Sequence, residues 1–347
     1  MTTSAVVGWD LGGAHLKAAR VGGSGRVDRV VQRPCPLWQG MTHFFSALDE
    51  VLEATGSAPS HAVTMTGEMV DLFRTRGEGV ATLVAAMRDR LPGAELRFFA
   101  GRDGWVDAEG AIRSPMGVAS ANWMASAALV ADRIEEGLLV DIGSTTTDLV
   151  PVSRGMVRAV GHDDASRLVA GELVYTGVVR TPLMAVAERV PFQGQSIPLV
   201  AEYFATAADL HRILGTLPET ADQYPAADSG PKTVEASARR LARMIGRDLD
   251  SAPLGEWREL ARSLAGAQRR RLDEGCDAVI ERSGLSPGSP LVAAGVGRFL
   301  VPGLAAAAGR PVVEFGSLIP VEPAVQSLVA DCAPAAAVAW LAASRSG

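Results

Sequence analysis

Short apolar runs closed by glycine dominate the start of the chain. Residues 5–10, 16–21 and 26–33 each carry three or more apolar or β-branched positions, with Gly12-Gly13 and Gly22-Gly23-Ser24-Gly25 between them. Runs of that length with Gly-rich punctuation predict a β-meander. Residues 41–54 place Phe44, Phe45, Leu48, Val51 and Leu52 on one helical face. Strands are predicted at 61–66 and 95–99, and helices at 68–73, 78–91 and 122–134. Then the pattern restarts. Residues 137–141, 145–152 and 156–160 again read as strand, Asp-x-Gly turn, strand, strand. Helices follow at 205–214, 233–247 and 256–282, a strand at 290–294, a helix at 297–308 and a short strand at 311–314. An Ala-rich buried helix over 323–341 closes the pattern, and 215–232 is a surface loop.

The restart is a duplication. With Asp10 laid on Asp141, Gly12 falls on Gly143 and Lys17 on Asp148. The separation is too long for a solenoid period and is that of a repeated domain. Each copy ends a strand in a sharp turn. Gly12 and Gly13 let a phosphate approach the backbone, and successive turn amides form an anion nest. Ser144, Thr145, Thr146 and Thr147 add hydroxyls, and Lys17 adds a point charge. Asp10 and Asp141, at strand ends, suit Mg²⁺, which binds a few carboxylates together with phosphate oxygens. Gly295-Val296-Gly297-Arg298 forms a third glycine turn after a strand, a weak signal alone. Together the three turns resemble the actin-like ATPase / ribonuclease H-like fold, and the resemblance implies an α/β protein in which that fold is duplicated. Its two domains, 1–135 plus 323–347 and 136–322, would have a cleft between them in which a diphosphate is clamped.

Composition narrows the ligand. The chain has 347 residues, 48% hydrophobic and 21% charged, with net charge −6. No basic face for nucleic acid is expected, so an anion must be held by local devices. Cys35, Cys276 and Cys332 form no CxxC pair, which argues against a zinc site or a disulfide framework. No basic leader precedes the first apolar run and no uncharged apolar stretch reaches bilayer length. A cytoplasmic protein acting on small molecules, with no membrane and no nucleic-acid partner, is expected. The helix 256–282 is either a homodimer contact or a cover for the second domain. Arg269, Arg270 and Arg271 read as a solvated face of it.

Several segments resemble one family. They are Asp141-Ile-Gly-Ser-Thr-Thr-Thr-Asp-Leu149, residues 65–71, Asn122-Trp123, residues 202–206 and, most specifically, Gly171-Glu-Leu-Val-Tyr-Thr-Gly-Val-Val-Arg-Thr-Pro182. The chain resembles actin-like proteins and, more narrowly, hydantoinase/oxoprolinase-related proteins of tetrahydromethanopterin-linked one-carbon metabolism. The resemblance implies a transferase of methanofuran or methylofuran biosynthesis. It would join a furan-methyl diphosphate to the phenol oxygen of a tyramine- or tyrosine-type acceptor and release pyrophosphate. Such a reaction needs a held diphosphate, Mg²⁺ and a base for a phenol of pKa about 10. Asp10, Asp141, Asp148 and Glu68 are the candidate catalytic residues, with His162 a further candidate base. The turns at Gly12, Gly13, Lys17, Gly143–Thr147, Gly295, Gly297 and Arg298 are the diphosphate candidates. Trp123, Glu172, Tyr175, Arg180 and Thr181 are the acceptor candidates. Arg298 and Ala14-His15 depart from the kinase pattern and weigh against ATP. The alternatives are an ATP-dependent kinase or hydantoinase-like enzyme on the same fold, and a non-catalytic nucleotide-binding switch.

Overall fold

A computed structural model describes residues 4–344; the first and last three residues, included in the predicted first domain, lie outside the described residues. The opening meander consists of β1 (Val6–Leu11), β2 (His15–Val21) and β3 (Val27–Pro34). Two further strands, β4 (Ser60–Met65) and β5 (Glu95–Phe99), run parallel to β1, and the short β6 (Trp105–Val106) pairs antiparallel with β5. The sheet order is β3-β2-β1-β4-β5-β6.

The second sheet repeats this plan. It opens with β7 (Glu136–Ile142), β8 (Thr147–Ser153) and β9 (Met156–Val157). The two-residue strand β10 (Leu173–Val174) also pairs with β8, while β11 (Arg189–Phe192) and β12 (Gln195–Pro198) form a separate hairpin. The remaining strands are β13 (Leu291–Ala294), parallel to β7, and β14 (Val312–Glu314). The order β10-β8-β7-β13-β14, with β9 also on β8, matches the first sheet: a first strand flanked by its antiparallel neighbour and by a later parallel strand. This is the duplicated actin-like, ribonuclease H-like α/β fold that the resemblance implies.

Two compact units result. The first takes the chain up to Glu136, Val152–Arg158 and the chain from Val313 onward; the second takes Gly137–Pro151 and Ala159–Val312. The short β9 arm joins the first unit because it packs on the helix Asn122–Arg133, and Gly155 N donates to Glu135 O at 3.2 Å. In the first unit Trp9, Leu11, Leu16, Phe44, Leu48 and Phe98 lie in one buried core. In the second, Leu138, Val140, Ile142, Leu149, Leu272 and Leu291 do the same.

The C-terminal apolar stretch differs from a single helix. A 3-10 turn, a four-residue helix Gln326–Val329 and a second 3-10 turn precede the helix Ala333–Ser344. Pro334 lies in the first turn of that helix, where a missing amide costs nothing. Pro323–Ser344 is long and apolar enough to cross a membrane by composition, but 67% of its apolar window is buried inside the protein. The helix Ala333–Ser344 packs on β1, β2, β4 and the helix Asn122–Arg133. The approach to β1 is close because both surfaces are small. A Cβ on Gly8 would overlap the Ala335 carbonyl oxygen and stand 2.5 Å from Ala339 N.

Three other local expectations change. Residues 68–73 form a 3-10 turn, Gly67–Met69, instead of a helix, because Gly67 is pressed against the β1–β2 turn. The helix Asp164–Ala170 is an addition, started by a capping box between Asp163 and Ser166. The β11–β12 hairpin is another; it turns at Gln193-Gly194, both with positive φ.

Gly8→Ala should therefore cost about 3 kcal/mol or more, since backbone cannot retreat as a side chain can. The expected observation is a lower denaturant midpoint with an unchanged slope; a wild-type midpoint would disprove the tight contact.

Candidate functional site

In the first unit the β1–β2 turn is built by backbone. Gly12 N donates to Asp10 O and to His15 O, both at 3.1 Å. A Cβ on Gly12 would lie 2.7 Å from His15 O, and one on Gly13 would lie 2.6 Å from Val70 Cγ1. The glycines are thus required by the fold, whatever the turn binds. Asp10 is buried and sits opposite Lys17 on β2 and Thr64 on β4. Residues opposite one another in a sheet share a face. Lys17 Nζ donates to Asp331 O at 3.2 Å. The Thr64 hydroxyl is buried without a hydrogen-bond partner, so this face holds an oxygen whose needs the described residues do not meet.

The second unit closes its turn the same way: Gly143 N donates to Thr146 O at 2.8 Å. This i to i+3 bond is the one between Gly12 and His15, which makes the two turns structural copies. Here the turn is capped by the family-specific run. Val178 N donates to Gly143 O at 3.1 Å, and Val179 N and Arg180 N donate to Ser144 O at 3.1 and 2.8 Å. Gly177 must be glycine, because a Cβ would lie 2.5 Å from Thr145 N. Its own amide donates to Thr181 Oγ1 at 2.8 Å, and Thr147 Oγ1 donates to Thr176 O at 2.7 Å. The carbonyls of the turn are occupied, and Ser144, Thr145 and Thr146 remain half-buried rather than sealed in.

The Gly295–Arg298 turn joins the same constellation. Gly297 N donates to Ile142 O at 2.8 Å. Gly295 has φ +80, and a Cβ there would overlap the Asp141 carboxylate and Ile142 O. Asp141, Gly143 and Gly295 are therefore immediate neighbours. The Arg298 side chain folds onto its own turn, with Nη1 3.1 Å from Gly295 O.

The carboxylates separate by their partners. Asp148 accepts from the buried Arg167 at 2.8 Å, so its partner is a protein cation. Glu172 is fully buried and accepts from Val160 N at 2.9 Å, Gly161 N at 3.0 Å and Arg282 Nη2 at 3.0 Å. It fastens the backbone ahead of the capping run. Glu68 is also buried, accepting from Ser120 Oγ at 2.9 Å through Oε1, while Oε2 has no hydrogen bond. Burial pushes its pKa above the ordinary glutamate range. The Ser120 hydroxyl, nearby amides of Glu68 and Ser120, and the charge of Arg76 oppose that shift.

Of the acceptor candidates, Tyr175 and Arg180 are exposed on the second unit, while Thr181 is buried beside the turn. Trp123 is buried at 3% exposure in the first unit, with no open ring face for stacking. His162 is exposed just ahead of a helix start, and its amide donates to Ser166 Oγ. Among the described residues no group of three His, Cys, Asp or Glu gathers as a metal cage. A Mg²⁺ held largely by phosphate oxygens and water needs only one or two carboxylates, and strand-end Asp10 and Asp141 are donors of that kind.

Sequence inspection missed Ser120, Arg167 and Gln268. Gln268, on the helix Leu254–Ser283, links His211 Nε2 at 2.9 Å to Gly177 O at 2.8 Å and Thr176 Oγ1 at 3.0 Å. A lone Gln inside a long amphipathic helix carries no motif, although its place on the buried face is a usable signal.

Two sheets of the same order, each with an Asp-x-Gly turn closed by the same bond, define an actin-like α/β protein. The chain belongs to the hydantoinase/oxoprolinase family, whose model matches residues 60–337. A curated relative from Methanocaldococcus jannaschii is 28% identical over 283 residues, 81% of this chain and 83% of its own length. It is named (4-{4-[2-(gamma-L-glutamylamino)ethyl]phenoxymethyl}furan-2-yl)methanamine synthase. A protein of the same name from Methanococcus vannielii is 32% identical over 119 residues, 34% of this chain and 53% of its length. The relative aligned along most of the chain and the one aligned along a third of it are both synthases by name, and the chain is an enzyme of this family. Among solved structures, nucleotide-free acetone carboxylase superposes over 98% of this chain and 70% of its own, with TM-score 0.59 at 11% identity; that likeness concerns the fold.

Because the folded state raises the Glu68 pKa, it holds that proton more tightly than the unfolded chain does. This contribution to stability should decline as pH rises from the ordinary glutamate value of 4.5 through the raised folded value. Glu68→Gln should flatten that part of the stability–pH curve; an unchanged slope would contradict the assignment. Arg167→Met should cost about 3 kcal/mol by leaving Asp148 uncompensated, and adding Asp148→Leu should recover most of it in denaturant titration.

Proposed function

We propose that this enzyme is a transferase of methanofuran or methylofuran biosynthesis. It would join a furan-methyl diphosphate to the phenol oxygen of a tyramine- or tyrosine-type acceptor and release pyrophosphate. The observation that carries the reading is the second Asp-x-Gly turn, with the family-specific run 171–182 seated on it through the three amide donors of residues 178–180. The relatives' name supports it as well, since a phenoxymethyl-furan product contains the aryl alkyl ether that this reaction makes.

The chemistry divides among the residues as follows. The bond from the furan methylene to the diphosphate oxygen breaks, leaving a cation delocalised into the ring and an electron pair on the departing pyrophosphate. Turn amides and the hydroxyls of Ser144, Thr145 and Thr146 would stabilise that developing charge. Mg²⁺, with Asp141 as its protein donor, would supply further neutralisation of the leaving group. The phenol proton goes to Glu68. Asp148 and Glu172 are set aside as bases because Arg167, Arg282 and backbone amides already engage them. Glu68 keeps one oxygen without a hydrogen bond, and a carboxylate of raised pKa is the stronger base toward a phenol. Tyr175 and Arg180 are the exposed groups of the capping run proposed to meet the acceptor.

The test is incubation of the purified enzyme with Mg²⁺, a furan-methyl diphosphate and a tyramine- or tyrosine-type acceptor. Pyrophosphate should appear stoichiometrically with the ether, without ATP. Asp141→Asn should lower the rate at least 100-fold, about 3 kcal/mol of transition-state stabilisation, with an unchanged circular dichroism spectrum. No pyrophosphate with either acceptor would overturn the proposal.

A further inference from the structure

Four non-glycine residues have left-handed backbone among the described residues: Ser120, Arg154, Gln193 and Ser229. The last three are exposed turn residues, while Ser120 is buried at 6% exposure with φ +51. Glycine would adopt that conformation without strain, and serine does not. What serine adds is a hydroxyl. Its Oγ donates to Glu68 Oε1 at 2.9 Å and lies 3.1 Å from Met69 Sδ. The two oxygens of one buried carboxyl are thereby made unequal: Oε1 is occupied, and Oε2 has no hydrogen bond. Buried backbone strain held in place by surrounding structure is a frequent mark of a functional position.

We propose that Ser120 is a positioning residue, which fixes Glu68 through Oε1 so that Oε2 is the oxygen that takes the acceptor's phenol proton. This rests on the reading of Glu68 as the base. In the step, the phenol O–H proton moves to Oε2 and the aryl oxygen bonds to the furan methylene. The methylene–diphosphate bond breaks with its electron pair on pyrophosphate. Met69 is the way in. Its thioether touches the Ser120 hydroxyl while the residue is 44% exposed, so one flexible, unbranched side chain extends from the buried pair to solvent. Arg76 is the charged side chain near the pair and acts on Glu68 in the same direction as Ser120, favouring the ionised form.

The experiment uses two readouts on the full chain. The first is infrared titration of the Glu68 carboxyl, assigned by difference against Glu68→Gln. The second is steady-state turnover with the diphosphate and phenolic acceptor. Ser120→Gly removes the hydroxyl and also relieves the backbone, so it should unfold at or above the wild-type temperature. It should nonetheless raise the titration midpoint of Glu68, lower kcat at least 10-fold with KM changed less than 2-fold, and move the acidic limb of the kcat profile to higher pH. An unmoved titration midpoint in Ser120→Gly would overturn the proposal, as would wild-type kcat. If the wild-type enzyme releases no pyrophosphate, the functional reading fails separately, and the infrared midpoint still decides whether Ser120 sets the state of Glu68.

Discussion

One backbone hydrogen bond organises both halves of the chain. In each unit the amide of the glycine two residues after the strand-end aspartate donates to a carbonyl three residues on. That bond turns the chain sharply enough for the second strand to pair beside the first. It also decides which groups of the turn remain for chemistry. In the second unit the carbonyls of Gly143 and Ser144 are taken by the amides of Val178, Val179 and Arg180, so the turn is fastened on its acceptor side. A turn fixed there has its donors set before any anion arrives, and preorganised donors are what stabilise charge that appears only in the transition state. The cost of ordering this loop is met by folding.

The duplicated plan was legible because it is a matter of period and punctuation. Alternating apolar runs and Asp-x-Gly turns specify a meander locally, and two meanders far apart specify two sheets. Strand positions followed closely, since β-branched and apolar runs leave little choice once one face is buried. The C-terminal stretch was harder: composition gave an apolar helix, but the proline-set restart at Ala333 and the contact with Gly8 depend on a surface distant in sequence. The capping box at Asp163-x-x-Ser166 was present in the letters and overshadowed by the neighbouring His162.

Roles were less legible than places. Asp148 aligned with Lys17 and read as a reactive carboxylate, yet its partner Arg167 lies on a helix whose approach cannot be inferred from spacing. Glu172 fell inside the most specific run, and its conspicuous position reflects the backbone it fastens. Trp123, an acceptor candidate by sequence, is a core residue, as large aromatics on apolar helix faces commonly are. Ser120 carries no sequence signal at all, because left-handed backbone at a non-glycine residue is a property of what surrounds it.

The seating of the helix Ala333–Ser344 against Gly8 also has a consequence for how the protein is made. The second unit is nearly contiguous in the chain, whereas the first is finished by residues translated more than three hundred positions after its opening strand. On the ribosome, the β1 face that receives this helix must wait, apolar and uncovered, while the whole second unit emerges and folds. Long-range closure of this kind slows completion of a domain. A strand that emerges before the second unit is thus covered only after that unit has been made.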